Sequence, residues 1–147
     1  MTRVRQSGVT LLELMTVVMI IGVLSAIAIP SYRTYLMRAQ RSDATAALMR
    51  VAQAQEKFYL QNNRYATNAE LATAPPLGLG IVRTEHNFYT LGLASTDTTL
   101  DFTATATPVG TGPQSKDSAC VTFTINQQGT RGAKNNASTD STESCWR

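Results

Sequence analysis

One carboxylate stands in a stretch that should hold none. From Val9 to Ile29 every side chain is uncharged except Glu13. A carboxylate in so apolar a segment costs a few kcal/mol or more unless something compensates it, and residues of this kind are functional by default. Two compensations are open. Glu13 lies near the start of the run, where it can reach an interface and favour the positive end of a helix dipole. Alternatively, it pairs with a buried cation. A free amino terminus at Val9, made by cleavage after Gly8, would supply that cation on a neighbouring copy.

The remaining chemistry-bearing residues form no catalytic constellation. His86 is the only histidine and falls in a connector, where a solvated side chain is expected. Asp140 and Glu143 are close in sequence, and a solvated loop is favoured over a weak calcium site. Asn136-Ala137-Ser138 matches a glycosylation sequon and is read as chance. No glycine-rich phosphate loop, zinc spacing or nucleophile elbow is present. The expectation is a chain that is not an enzyme and needs no metal or cofactor. Two cysteines remain, Cys120 and Cys145. In an exported chain an even count reads as one disulfide, and in a reducing cytosol as two free thiols.

The N-terminus decides the compartment. Met1 to Gly8 is short, polar and basic, and the apolar run follows directly. A secretory signal has a shorter apolar core with a small-residue cleavage site after it, and no convincing site follows here. The 21 residues from Val9 to Ile29 correspond to roughly 32 Å of helix, which matches a hydrocarbon core of about 30 Å. Arg3 and Arg5 precede the run, so the N-terminus should stay cytoplasmic and the rest be exported. The formal charge is +3. Without Arg3 and Arg5, eleven basic residues face ten acidic ones, leaving +1. That balance gives little support to nucleic acid as a partner.

The string Gly8-Val9-Thr10-Leu11-Leu12-Glu13, the apolar run to Ile29 and then Pro30-Ser31-Tyr32 resemble the class III signal of type IV pilins. The resemblance implies that a prepilin peptidase cuts between Gly8 and Val9 and methylates the new amino terminus at Val9. It places the family's fifth-position glutamate at Glu13. The family usually has Phe at the first mature position, where this chain has Val9. Type II secretion pseudopilins and competence pilins share this N-terminus, so it specifies the superfamily and not the machine.

Pro30 would kink or end a helix and Gly22 weakens one. Beyond Pro30, Leu36, Ala39, Ala44, Ala47, Leu48, Val51, Ala54 and Phe58 recur at helical spacing, with Arg33, Arg38, Arg41, Asp43, Arg50 and Lys57 mainly off that stripe. This predicts one long bent helix from Val9 to about Gln61, stopped by Asn62-Asn63. The family resemblance adds that helical order between Gly22 and Pro30 can be lost in a filament.

Residues 62–87, broken by Pro75-Pro76, Gly78 and Gly80, read as an irregular connector. Arg64-Tyr65-Ala66-Thr67 within it resembles minor pilins of the PilE type. Period-two runs at Phe88–Ser95, Leu100–Thr107 and Ala119–Asn126 predict half-buried antiparallel strands, with Thr130–Ala133 as a short fourth. In the second run Leu100, Phe102, Ala104 and Ala106 share the apolar side. The amphipathic half of the long helix is the one candidate to cover that face. The expected class is α+β, a long N-terminal helix with a membrane-spanning first half packed against an antiparallel sheet.

A Cys120–Cys145 bridge would tie down the Asn/Ser/Thr-rich tail and is worth about 3 kcal/mol by loop entropy. Trp146 is expected to pack beside it. The divisions expected are a leader at 1–8, a filament-core helix at 9–30, an amphipathic half at 31–61 and a head at 62–147. The function expected is a type IV pilus subunit, a minor one that helps initiate assembly. Its partners would be other pilins through their N-terminal helices, the prepilin peptidase and methyltransferase, and the inner membrane before extracellular assembly. The alternatives are a pseudopilin, a major pilin, and a DNA-receptor or adhesin pilin.

Overall fold

The computed structural model describes residues 9–147, so Gly8, Arg3 and Arg5 lie outside the described residues. Helix α1 spans Leu11–Asn62. It is followed by a short α2 at Asn68–Leu71, strands β1 (Tyr89–Ala94), β2 (Thr103–Pro108), β3 (Thr122–Asn126) and β4 (Arg131–Lys134), and a short α3 at Thr142–Cys145. A 3-10 turn at Pro113–Lys116 links β2 to β3. The chain divides into a unit ending at Leu36 and a unit from Met37 to Arg147.

In the first unit the helix starts at a cap that sequence reading overlooked. Thr10 Oγ1 accepts the Glu13 N–H at 3.2 Å, satisfying one of the donors that a helix start leaves without a partner. Thr-x-x-Glu is the sequence signature of a capping box, so the signal was legible. The helix runs unbroken through Gly22 and Pro30. Proline has no N–H to offer the carbonyl four residues back, and the neighbouring Thr34 hydroxyl donates to the Pro30 carbonyl at 3.1 Å. Leu11, Met15, Ile20, Leu24 and Ile27 are each more than half exposed.

In the second unit α1 is amphipathic. Ala44, Ala47, Leu48, Val51 and Phe58 are buried at the predicted spacing. Ala54 is half-buried and Ala39 is exposed, and Leu36, the last residue of the first unit, is half-buried. Two residues expected off the stripe are not: Asp43 is buried and Arg41 largely so. Both have partners from the sheet side of the chain, which periodicity could not reveal. Asn63 ends the helix at φ 53°, with its N–H on the Tyr59 carbonyl. Asn tolerates this left-handed C-terminal position better than most residues.

The sheet is an antiparallel meander in the order β1-β2-β3-β4. Its register sets Leu91, Ala106, Phe123 and Ala133 in one row, and Leu93, Ala104 and Ile125 in the next. These residues share one core with Ala44, Leu48, Val51 and Phe58 of α1. The opposite face carries Gly92, Thr105, Thr124 and Gly132 in its central row. A one-residue slip would exchange the two faces, so the helix that covers the apolar side also specifies the register.

Three strands start later than the alternation implied, two of them for a visible reason. Leu100, expected beside Phe102 on the core side, is 71% exposed. Asp97 accepts the Thr99 N–H and hydroxyl, and Asp101 accepts the Ser95 and Thr96 hydroxyls and the Thr96 N–H. These bonds turn the chain before Phe102 enters the core. Likewise Asp117 accepts the Ala119 N–H, which keeps Ala119 out of β3. The connector is more ordered than expected. It holds α2 and an isolated bridge from Arg83 to Thr90.

Candidate functional site

The candidate site is the apolar first unit of α1 with Glu13 near its start. The helix is long and apolar enough to cross a membrane, and none of the apolar window that qualifies it is buried among the described residues. Val9 precedes the helix and is exposed. Among the described residues no cation lies within 4.0 Å of the Glu13 carboxylate. The surface can therefore be covered by lipid or by other copies of a similar helix, and Glu13 is the one ionic side chain between Val9 and Ile29.

The second unit is a scaffold whose polar groups are mostly committed to holding it together. Cys120 and Cys145 are bonded, with Cα atoms 5.8 Å apart across 25 residues. Trp146 packs as expected. Its indole N–H donates to the Gly132 carbonyl at 2.8 Å, its ring meets the Phe123 edge, and Arg131 lies over it. The buried Gln114 accepts the Tyr89 hydroxyl and donates to the Met37 carbonyl and Gln40. Burial pushes the Tyr89 hydroxyl pKa well above its ordinary value. Arg41 grips Asp117 with two bonds of 2.7 and 2.9 Å.

Gln55 is the sharpest case that periodicity missed. It is fully buried on α1, and its amide accepts the Ala66 N–H at 2.7 Å and donates to the Ala66 carbonyl at 3.0 Å. This anchors the Arg64–Thr67 segment to the helix. Within that segment Arg64 forms a two-bond pair with Glu70, whose carboxylate also accepts the Thr67 N–H and hydroxyl. Arg64 chiefly, with Thr67, holds the Glu70 pKa down to about 2 despite partial burial.

His86 does not stand alone in its loop. Its ring is mostly exposed and stacks on Phe88, but Nδ1 lies 3.2 Å from Asp43 Oδ1. Asp140 accepts the Thr142 N–H and hydroxyl, so its carboxylate caps the entry to α3. No cluster of three or more metal-ligating side chains occurs among the described residues.

A family model described as type IV minor pilin ComP, DNA uptake sequence receptor, matches residues 30–124, more than half of the chain. The chain belongs to the type IV pilin family. A prokaryotic N-terminal methylation motif matches residues 3–29 of this pilin. The type IV major pilin protein PilA of Myxococcus xanthus is 43% identical over 75 residues, covering 50% of this chain and 34% of that protein. PilE1 of Neisseria gonorrhoeae is 38% identical over 73 residues, 48% of this chain and 44% of that protein. The type II secretion system core protein G of Aeromonas hydrophila is 34% identical over 70 residues, 48% of this chain and 49% of its own. The chain thus spans less than half the length of the curated relatives it matches. Among solved structures, the non-core minor pilin PilV of Neisseria meningitidis superposes with a TM-score of 0.52 at 21% identity, over 69% of this chain and 89% of that one. That likeness shows the pilin fold. The family is structural rather than enzymatic.

Proposed function

We propose that this pilin is a minor subunit of a type IV pilus that helps initiate assembly and enters the filament, in the service of twitching motility or adhesion. In this reading residues 1–8 are a leader that a prepilin peptidase removes between Gly8 and Val9, with methylation at Val9. The precursor crosses the inner membrane once, with its head periplasmic. The helices at 9–30 then leave the bilayer and bundle with those of other pilins in an extracellular filament. The exchange is not strongly opposed, because the helix is apolar in both settings. Residues 31–61 carry the amphipathic half of the helix and 62–147 the head. Gly22 and Pro30 are the positions where helical order gives way on assembly, and filament density with an unbroken helix through Ser25 would refute that.

The observation that carries the proposal is Glu13, an exposed ionic group on a helix surface that no other described residue covers. Its partner is the Val9 amine of an adjacent subunit. An unpaired carboxylate is costly in a low-dielectric core, so the pair enforces register more than it adds stability. Quantitative mass spectrometry of sheared pili tests the reading. It should find cleavage after Gly8, methylated Val9 and an abundance far below that of the main pilin. Abundance equal to the main pilin would refute the minor role.

Two rivals have specific support. The match to a secretion core protein keeps a pseudopilus open, and the Cys120–Cys145 bond weighs against it, since pseudopilins often lack that bond. The matching family description names a DNA uptake receptor. The mature charge of +1 favours a structural role without nucleic acid, and a gel shift with duplex DNA at low salt would decide between them.

A further inference from the structure

We infer that Thr10 is a positioning residue for removal of the leader: its side chain fixes the helix start, so that the bond between Gly8 and Val9 stays outside the helix. The inference rests on the processing reading given above, and the test separates the two.

Val9 and Thr10 are exposed and both precede α1, which begins at Leu11. Thr10 holds that boundary with two groups. Its carbonyl accepts the Leu14 N–H at 3.1 Å, and its hydroxyl oxygen accepts the Glu13 N–H at 3.2 Å. This is the action of an N-cap residue, whose carbonyl takes the first bond of the helix and whose side chain satisfies a donor three residues on. The hydroxyl bonds to the backbone of Glu13 and not to its side chain. The Glu13 carboxylate therefore stays available for the pairing proposed above.

The chemistry of cleavage explains why the boundary matters. Hydrolysis adds one water to the Gly8 carbonyl carbon, breaks the C–N bond and leaves a carboxylate on Gly8 and an amine on Val9. The attacked carbonyl must be free. A helix capped at Thr10 engages no carbonyl upstream of Thr10 itself. The rival start is Gly8, because glycine is also accepted as an N-cap, and it stands two residues earlier. Valine ranks far lower as a cap, so Val9 offers no start between them. In an α-helix each N–H bonds the carbonyl four residues back. A helix capped at Gly8 would commit the Gly8 carbonyl to the Leu12 N–H and wind the scissile bond into the first turn. With Thr10 as the cap, the Leu12 N–H is instead one of the first-turn donors that have no partner in the helix. The Thr10 hydroxyl thus selects the start that leaves the substrate carbonyl open to attack.

The test treats the full-length precursor in detergent with membranes that contain a prepilin peptidase, and follows loss of the first eight residues by mass spectrometry. Thr10→Val keeps the branched shape and loses the acceptor oxygen. Thr10→Ser and Thr10→Asn keep an acceptor and change the shape. Valine should lower kcat/KM about fivefold, the factor that loss of one N-cap commonly brings to a helix start. The loss should fall on KM, because a smaller competent population weakens apparent affinity. Serine and asparagine should be cleaved at least as fast as the wild type, following the capping order. Amide exchange of the same precursors by nuclear magnetic resonance reads the helix start. In Thr10→Val the Leu12 amide should gain protection as it finds the Gly8 carbonyl, and in Thr10→Ser it should match the wild type. An unchanged rate for Thr10→Val overturns the inference. So does fast cleavage of the valine variant with slow cleavage of the asparagine variant, which would mean that the peptidase reads the shape of residue 10. Slower cleavage of Thr10→Val with an unmoved Leu12 amide would assign the hydroxyl to a direct contact with the peptidase and overturn the positioning role. A wild-type chain that keeps its first eight residues overturns the processing reading, and the role of Thr10 falls with it.

Discussion

Replacing Gln55 with Met tests whether the connector is held by the helix as the hydrogen bonds indicate. Met is close in volume and unbranched, so the substitution leaves no large cavity. It removes both partners of Ala66, whose N–H and carbonyl are 1% exposed with the rest of that residue. Each buried backbone group left without a partner costs about 1–3 kcal/mol. The gain from removing a buried amide offsets part of the sum, leaving a loss of about 3 kcal/mol. The assay is urea unfolding of the full chain in detergent micelles, followed by the single tryptophan, Trp146, which reports on the packed sheet through Phe123. With an m-value of about 2 kcal/mol/M the midpoint should fall by about 1.5 M. Gln53→Met, at an exposed position of the same helix, should shift it by less than about 0.3 M, since surface substitutions stay within about 0.5 kcal/mol. A Gln55→Met midpoint equal to that of the control would refute the reasoning, because it would mean that water reaches Ala66 freely.

Four further outcomes follow from the same geometry. Glu70 ionises in the folded state well below its usual range, so its contribution is complete above about pH 5 and is lost as pH falls toward about 2. Partial exposure limits that contribution to about 1 kcal/mol, and in Glu70→Gln the acid-side decline of the urea midpoint between pH 5 and 2 should be correspondingly shallower. Reducing Cys120–Cys145, or replacing both with Ser, should lower stability by about 3 kcal/mol, read as a fall in the same midpoint. At Gly78 an added Cβ would lie 2.2 Å from the Glu70 carbonyl oxygen and 2.5 Å from that of Thr73. These are backbone atoms that cannot swing aside, so Gly78→Ala should cost more than about 2 kcal/mol, and thermal unfolding would show it. Glu13→Ala should leave processing after Gly8 intact while sharply reducing incorporation into sheared filaments, and normal incorporation would refute the pairing with Val9.

The legible parts of the fold were those written as local periodicity. The stripe Ala44, Ala47, Leu48, Val51 and Phe58 announced the buried helix face. The alternation Phe102, Ala104, Ala106 and that of Phe123 and Ile125 announced the inner face of the sheet. Asn63 marked the helix end. The family signature at Gly8 to Pro30 was legible because a lone acid in an apolar run is rare enough to carry meaning by itself. Leu100 was misplaced because the turn before it is built by Asp97 and Asp101 carboxylates acting on nearby hydroxyls, which a two-residue pattern does not record. Thr10 was overlooked although its capping signature is local.

The sequence by itself determined the segments, their periods and the position of the lone acid Glu13 in the apolar run, because each depends on side chains within a few residues of one another. Only the tertiary structure decided the roles of Asp43, Gln55, Gln114 and Arg41. Gln55, Gln114 and Arg41 are each made tolerable in the interior by a partner 11 to 77 positions away, and Asp43 meets His86 through Oδ1 while its buried Oδ2 has no partner among the described residues. Burial of a polar group is favourable or ruinous according to whether that partner arrives, and its arrival is a property of the folded chain.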